Sequence, residues 1–292
     1  MPETEVEKVV YLDGDFLPEG KALVSVFDRG FLYGDGVFET MRAYGGRVFR
    51  LAQHLRRLEE SAELIKITPP LSQDQFAKIC SDLIERNNTA DAIVRISVTR
   101  GKASGGLGTS NAGRPTVAAF IRPPMPVSTE AASEGVPAII SSFRKMPSAA
   151  LNARIKSMNF LNSILARSEA EEAGCYEAVL LDSDGNVTEA TTANIFFVGG
   201  GRLFTPGPES DILLGITRAA VLELSAEMGI PAEQRKISAS ELGGFEECFI
   251  TNSAIEALAV TRIGPLRVGG GKPGAIYKRI HGAYRELVLR NT

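Results

Sequence analysis

Three prolines fall within four residues at Pro123-Pro124-Met125-Pro126, and they constrain the fold of this chain more than any other feature. A proline fixes φ, lacks the N–H that a helix or central strand requires, and pushes the residue before it out of the helical region. No regular element runs through such a cluster. The 292 residues therefore read as a small domain at 1–122, a linker at 123–130 and a larger domain at 131–292.

Both halves mix helix and strand periods. In the first, alternation over 9–16 turns at Asp13-Gly14, and a run at 36–44 ends at Gly45-Gly46. The segments 92–99 and 116–121 read as strands around a glycine-rich loop at 101–113. Leu51, Leu55, Leu58, Ala62 and Ile65 have helical spacing, stopped by Pro69-Pro70, and a second helix follows at 72–86. In the second half, strands are expected at 138–142, 177–182, 187–190, 194–198, 202–205 and 247–251. Helices are expected at 159–173, at 216–228 with Gly229 as its left-handed cap, and at 277–290. Leu161, Ile164, Leu165 and Ala170 form the expected buried stripe of the first. Without strict strand–helix alternation or an internal repeat, the class is α+β rather than a doubly wound sheet.

Lysine plus arginine total 32 against 35 aspartate plus glutamate, so the net charge of −3 supplies no general field for nucleic acid or an anionic membrane. Neither is expected as a partner. Residues 1–8 lack the apolar run of a signal peptide, and no stretch of about 18 successive apolar residues occurs. Cys80, Cys175 and Cys248 are far apart, form no CxxC pair and have only His54 and His281 as further soft ligands. No metal is expected, and the thiols suit a reducing cytoplasm. The scarcity of histidine also moves general-base chemistry away from a Ser-His-Asp triad and toward Lys, Asp, Glu, Tyr or a cofactor.

Several local features can carry such chemistry. Lys156 precedes the helix expected at 159–173, whose dipole would disfavour an ammonium; a solvated lysine is the plain alternative. Leu213-Leu214-Gly215-Ile216-Thr217-Arg218 opens a helix and suits either a phosphate grip or a simple cap, and it is neither GxGxxG nor a P-loop. Glu189 follows a hairpin turn and either meets a cationic ring nitrogen or faces water. Arg57, behind His54, either holds an anion or belongs to a solvated helix face. Phe31, Tyr33 and Phe38, threaded by Gly30, Gly34 and Gly36, wall a pocket or pack into the core. Arg95 and Arg100 have opposite parity on one strand, so at most one easily points into a given pocket.

Taken in order, Asp28-Arg29-Gly30 with Tyr33-Gly34-Asp35-Gly36-Val37-Phe38-Glu39, His54-Leu55-Arg56-Arg57-Leu58, the segment 156–170, Tyr176-Glu177-Ala178 through Glu189 to Phe196, and Leu214-Gly215-Ile216-Thr217-Arg218 resemble class IV aminotransferases. These are the fold type IV enzymes of pyridoxal 5′-phosphate (PLP). The resemblance spans 28–260 and implies a small α/β domain ahead of a larger one with a mixed or barrel-like sheet. It implies PLP as cofactor, with Lys156 as the catalytic Schiff-base residue that shuttles the proton between Cα and C4′. By the same resemblance Glu189 partners the ring nitrogen and sustains the electron sink. Arg57, the Ile216 and Thr217 amides, and Ser253 take the phosphate, while Tyr33, Phe38, Arg42, Arg95 and Arg100 line the substrate side. The implied partners are amino acids and keto acids, and the implied assembly is a homodimer or larger homo-oligomer, with Tyr33 and the 102–112 loop at a neighbour's pocket.

Within the family, the segment 155–166 and Arg95 are most similar to compact branched-chain enzymes. That implies ping-pong transfer of an amino group from branched-chain or other apolar L-amino acids to 2-oxoglutarate. Other members stay open. Phe38-Glu39-Thr40 and Thr251-Asn252-Ser253 resemble aminodeoxychorismate lyases, and Val98-Thr99-Arg100-Gly101 resembles the carboxylate-binding segment of D-amino-acid aminotransferases, with (R)-amine aminotransferases beside them. Phe160 stands where many branched-chain members carry a tyrosine. Outside the class, the competing reading is a non-catalytic PLP-binding protein, against which the retention of Lys156, Glu189 and Arg57 speaks.

Overall fold

The computed structural model describes residues 7–124 and 127–291, so Met125 and Pro126 of the proline cluster lie outside the described residues. The chain forms two compact units. Among the described residues, one comprises 7–124, the short segment 155–159 and residue 291; the other comprises 127–154 and 160–290.

In the first unit the order is β1 (Val9–Leu12), β2 (Asp15–Pro18), α1 (Arg29–Tyr33), β3 (Gly36–Tyr44), β4 (Arg47–Val48), α2 (Leu51–Leu64), α3 (Gln73–Arg86), β5 (Ala92–Thr99) and β6 (Thr116–Arg122). The strands form one sheet in the order β2-β1-β6-β5-β3-β4, with every pairing antiparallel. Strand pleating sorts β3: Val37, Met41 and Ala43 join Val94, Ile96, Leu55, Leu58, Phe76 and Leu83 in the core. Phe38, Thr40 and Arg42 take the other face, where Phe38 opposes Ser97 and Thr40 opposes Arg95. α3 starts with a reciprocal Ser72–Gln75 capping box.

Helix α1 has only five residues, too few to show a helical period. It forms because the Asp28 carboxylate accepts from the Gly30 amide and Gly34, at φ 67°, ends it. Phe31 and Tyr33 ride on this turn 71% and 42% exposed, so of the three clustered aromatics Phe38 alone is buried.

The second unit contains α4 (Thr129–Glu134), β7 (Val136–Arg144), α5 (Leu161–Glu172), β8 (Glu177–Leu181), β9 (Asn186–Ala190), β10 (Asn194–Gly199), β11 (Arg202–Thr205), α6 (Ile216–Glu227), β12 (Ala232–Gln234), β13 (Ile237–Ser238), β14 (Glu247–Asn252), β15 (Glu256–Ile263), β16 (Leu266–Arg267) and α7 (Ala275–Arg290). Its mixed sheet runs β12-β11-β10-β14-β15-β7-β8-β9-β13, parallel at β15–β7, β7–β8 and β11–β12. The α+β class therefore describes the chain.

Three local expectations are corrected. Of the stripe assigned to α5 only Ala170 is buried: Leu161, Ile164 and Leu165 are 68%, 58% and 41% exposed, while Ala166 and Ala170 face Ala178 and Leu180. Small residues let the helix lie close to its sheet, so the larger side chains occupy the other side. β15 went unrecognised because Glu256-Ala257-Leu258-Ala259-Val260 is buried without alternation, the pattern of a strand covered on both faces. α4 begins inside the expected linker because Ser128 accepts from the Ala131 amide and caps it. Among the described residues no helix is long and apolar enough to cross a membrane.

Candidate active site

Lys156 is held by strand pairing. In the first unit Phe38 donates its amide to the Lys156 carbonyl at 3.0 Å, Met158 donates to the Gly36 carbonyl at 3.0 Å, and Val37 faces Ser157. This is the antiparallel pattern that opposes Lys156 to Phe38 and sends both side chains to one face. Accordingly, Lys156 Nζ stands 4.7 Å from the Phe38 ring centroid, and Arg95 Cζ stands 3.8 Å from the same ring. The Lys156 amide donates to Ser61 Oγ of α2 at 3.1 Å. Gly36 is required for the pairing, since a Cβ there would fall 2.8 Å from the Val98 carbonyl oxygen and 3.0 Å from Met158 Sδ. The helix-dipole expectation for Lys156 is thereby corrected: α5 starts only at Leu161, and Lys156 belongs to an extended segment.

On the opposite face of β3, Glu39 is fully buried and accepts from Arg57 twice, at 2.7 and 2.8 Å, and from His54 Nδ1 at 2.7 Å. Burial alone would raise the Glu39 carboxyl, but the Arg57 charge and the hydrogen bonds from His54 and Arg57 bring it down to about 2. Burial lowers His54 despite the neighbouring carboxylate, so a neutral imidazole donates from Nδ1. The Arg57 guanidinium is thus oriented by an internal anion.

The two candidate carboxylate binders separate. Arg100 gives Nε and Nη2 to Asp35 at 2.8 and 3.0 Å and its remaining donors to the Ile65 and Lys66 carbonyls. Asp35 also accepts from Arg29, whose other donors hold the carbonyls of Gly106, Leu107 and Gly108. Arg95 carries no such partner: among the described residues no carboxylate pairs with Arg95 or Arg42, and the Nε of Arg42 is buried without a hydrogen bond. Burial, then the Arg122 charge, lowers Arg95. Tyr33 stays on exposed α1, with the Arg29 guanidinium 5.2 Å from its ring.

In the second unit Glu189 closes β9 as a nearly buried carboxylate. Its Oε1 accepts from Lys145 Nζ at 2.6 Å; its Oε2 accepts from Asn194 Nδ2 and from the Leu213 amide, each at 3.1 Å. Asn194 also donates to the Leu213 carbonyl, and a Cβ on Gly215 would fall 2.1 Å from its Oδ1. Glu189 and the start of α6 are therefore tied through one amide side chain. Gly215 caps α6 without a side-chain bond, leaving the first amides, Ile216 and Thr217, uncapped. Ser253 lies in the turn after β14, shaped by Asn252 Oδ1 accepting from the amides of Ala254 and Ile255, and nearby Thr251 Oγ1 is buried without a partner.

This donor set fits PLP. An uncapped helix start with a buried, unpartnered hydroxyl in the neighbouring strand suits a phosphate ester, and a buried carboxylate suits a protonated pyridine nitrogen. Sequence reading missed Lys145, Asn194 and the Glu39–His54 pair as partners. Glu39 had a signal, because its parity on β3 points a charge into the core, where it requires a counter-charge. Lys145 had none, since Arg144-Lys145 reads as a solvated strand end.

Comparison with known proteins identifies the class. Residues 36–263 match the family model described as Amino-transferase class IV. A Methanocaldococcus jannaschii protein named "Putative branched-chain-amino-acid aminotransferase" is 40% identical over 278 residues, covering 95% of this chain and 96% of that one. The D-alanine aminotransferase of Bacillus licheniformis is 32% identical over 283 residues, covering 97% and 98%. The crystal structure of the Escherichia coli branched-chain amino acid aminotransferase superposes with a TM-score of 0.92 at 30% identity, covering 97% and 95%. The chain belongs to the class IV aminotransferase family, whose enzymes use PLP.

Proposed function

We propose that the protein transfers the amino group of branched-chain or other apolar L-amino acids to 2-oxoglutarate by a ping-pong scheme. The observation that carries this reading is the Phe38 ring shared between the Lys156 amine and the carboxylate-free guanidinium of Arg95. An apolar wall, an amine and an anion-binding cation on one sheet face suit a substrate with a carboxylate and an apolar side chain, and Arg42 adds a second cation for a dicarboxylic partner. Likeness to branched-chain relatives supports the same choice.

PLP, when bound, supplies an aldehyde for the amino group and a ring that withdraws electrons from the substrate Cα. Lys156 Nζ would take the proton released from the substrate Cα and deliver it to C4′ within the first half-reaction, and would move a proton from C4′ to Cα in the second. The Glu189 carboxylate would accept from the ring nitrogen and keep it protonated. Arg57, the Ile216 and Thr217 amides, and Ser253 bind the phosphate. Phe38, Arg42 and Arg95 orient the substrate, with Tyr33 at the margin; the saturation of Arg100 by Asp35 and two carbonyls assigns the carboxylate to Arg95 in this proposal.

The proposed domain division is that read from the proline cluster. A homodimer is proposed because Phe27, Phe31, Leu107, Leu161 and Ile164 are all more than half exposed, an apolar display that a second copy would cover. Three buried, unpaired cysteines accord with a cytoplasmic location.

The reading is tested by mixing cofactor-loaded protein with L-leucine, L-glutamate, D-alanine, (R)-1-phenylethylamine or aminodeoxychorismate and following the cofactor absorbance. Fastest conversion is expected with L-leucine or L-glutamate. Faster reaction with D-alanine would move the assignment to D-amino acids, and pyruvate release from aminodeoxychorismate would move it to the lyases.

A further inference from the structure

We infer that Lys145 is a positioning residue for the cofactor's ring nitrogen, acting through Glu189. The inference rests on the proposal that Glu189 partners that nitrogen. Lys145 immediately follows β7, and its own amide is anchored by donation to the Leu181 carbonyl of β8 at 2.8 Å. The backbone therefore presents the side chain to Glu189 from a fixed point. Both groups are largely withdrawn from water, with side-chain exposures of 18% for Lys145 and 9% for Glu189.

The three donors to Glu189 are unequal. Asn194 and Leu213 are neutral and stand at 3.1 Å, whereas the Lys145 ammonium stands at 2.6 Å and brings the one compensating charge in contact. Arg218 feels the Glu189 charge but, among the described residues, forms no ion pair with it, and its Nη2 is given to the Pro206 carbonyl and Gln234 Oε1. A carboxylate has about four lone-pair positions. Asn194 and Leu213 occupy those of Oε2, Lys145 takes one on Oε1, and one Oε1 position stays open for a ring N–H. Lys145 thereby fixes which oxygen faces the nitrogen and compensates the charge that the oxygen must carry. Removal of Lys145 leaves a nearly buried anion with neutral donors only, a state relieved by proton uptake or rotation of the carboxyl.

The test is titration of cofactor-stripped full-length protein with PLP carrying a 15N-labelled ring, reading affinity by absorbance and ring protonation by the nitrogen resonance. K145M is expected to bind PLP about tenfold more weakly, the scale of a lost charged hydrogen bond. Its ring resonance is expected to move toward the unprotonated position. K145R should restore both, and K145M should add nothing in an E189Q background. If K145M does not fold, K145Q, which keeps a donor without the charge, replaces it. Wild-type affinity and resonance in the Lys145 variant while E189Q loses both, or additive losses in the double variant, overturn the inference and leave the Glu189 proposal intact. An E189Q protein indistinguishable from wild type removes the Glu189 proposal, and the inference falls with it.

Discussion

Lys156→Ala is expected to lower transamination by about ten-thousandfold or more, because a positioned acid–base group alone is worth up to about that factor. The same lysine is also the proposed nucleophile toward the cofactor aldehyde. Cofactor binding should suffer far less, since the proposed phosphate ligands are other residues. The structure explains why no neighbour substitutes: the amine reaches the Phe38 ring through backbone pairing of 156–158 with β3, and β3 itself supplies no second amine. Stopped-flow conversion of the loaded variant with L-glutamate, beside its PLP affinity, checks the expectation. Near-normal conversion would refute the role of Lys156.

Glu39→Gln should produce the largest loss of stability, about 3–5 kcal/mol, the range for removing one partner of a buried ion pair. Gln would face Arg57 and His54 with no charge to offer. The pH dependence has a definite sign. Glu39 is held at about 2 in the folded protein, below its ordinary 4.5, so its stabilisation is complete above about 4.5 and is lost as pH falls through 4.5 toward 2. A shift of that size corresponds to about 3 kcal/mol. His54, held below its ordinary value of 6.5 chiefly by burial, likewise favours the fold above that value and costs stability as the solution acidifies. Urea unfolding of both proteins at pH 7 and pH 3 provides the check: the gap between wild type and Glu39→Gln should narrow markedly at pH 3. A gap that is absent at pH 7, or unchanged between the two, would show that the buried pair does not stabilise the fold in this way.

Much of the first unit was legible because its strands are half-buried and alternate. Val37, Met41 and Ala43 mark the inner face of β3, and the same parity places Phe38 and Arg42 outside the core. Helix α5 shows the limit of such reasoning. Its apolar residues Leu161, Ile164, Leu165 and Ala170 read as one buried stripe, but nothing in a helical period says which side the sheet covers, and the sheet covers Ala166 and Ala170. Strand β15 lacks alternation because both faces are buried, so it carries no periodic signal. For the candidate site, resemblance picked out Lys156, Glu189, Arg57 and Arg95 as separate points. Their immediate partners depend on chain crossings between distant segments: Glu39 meets Arg57 across 18 residues, and Lys145 meets Glu189 across 44. Local spacing contains no record of those approaches.

The central claim, that Lys156 is the residue joined covalently to PLP, is tested most directly by borohydride treatment of the loaded protein followed by tryptic peptide mass mapping. The account predicts the reduced cofactor mass on the peptide spanning 155–167, with cleavage after Lys156 blocked. The same mass on the peptide that begins at Lys145, or on no lysine at all, would contradict it.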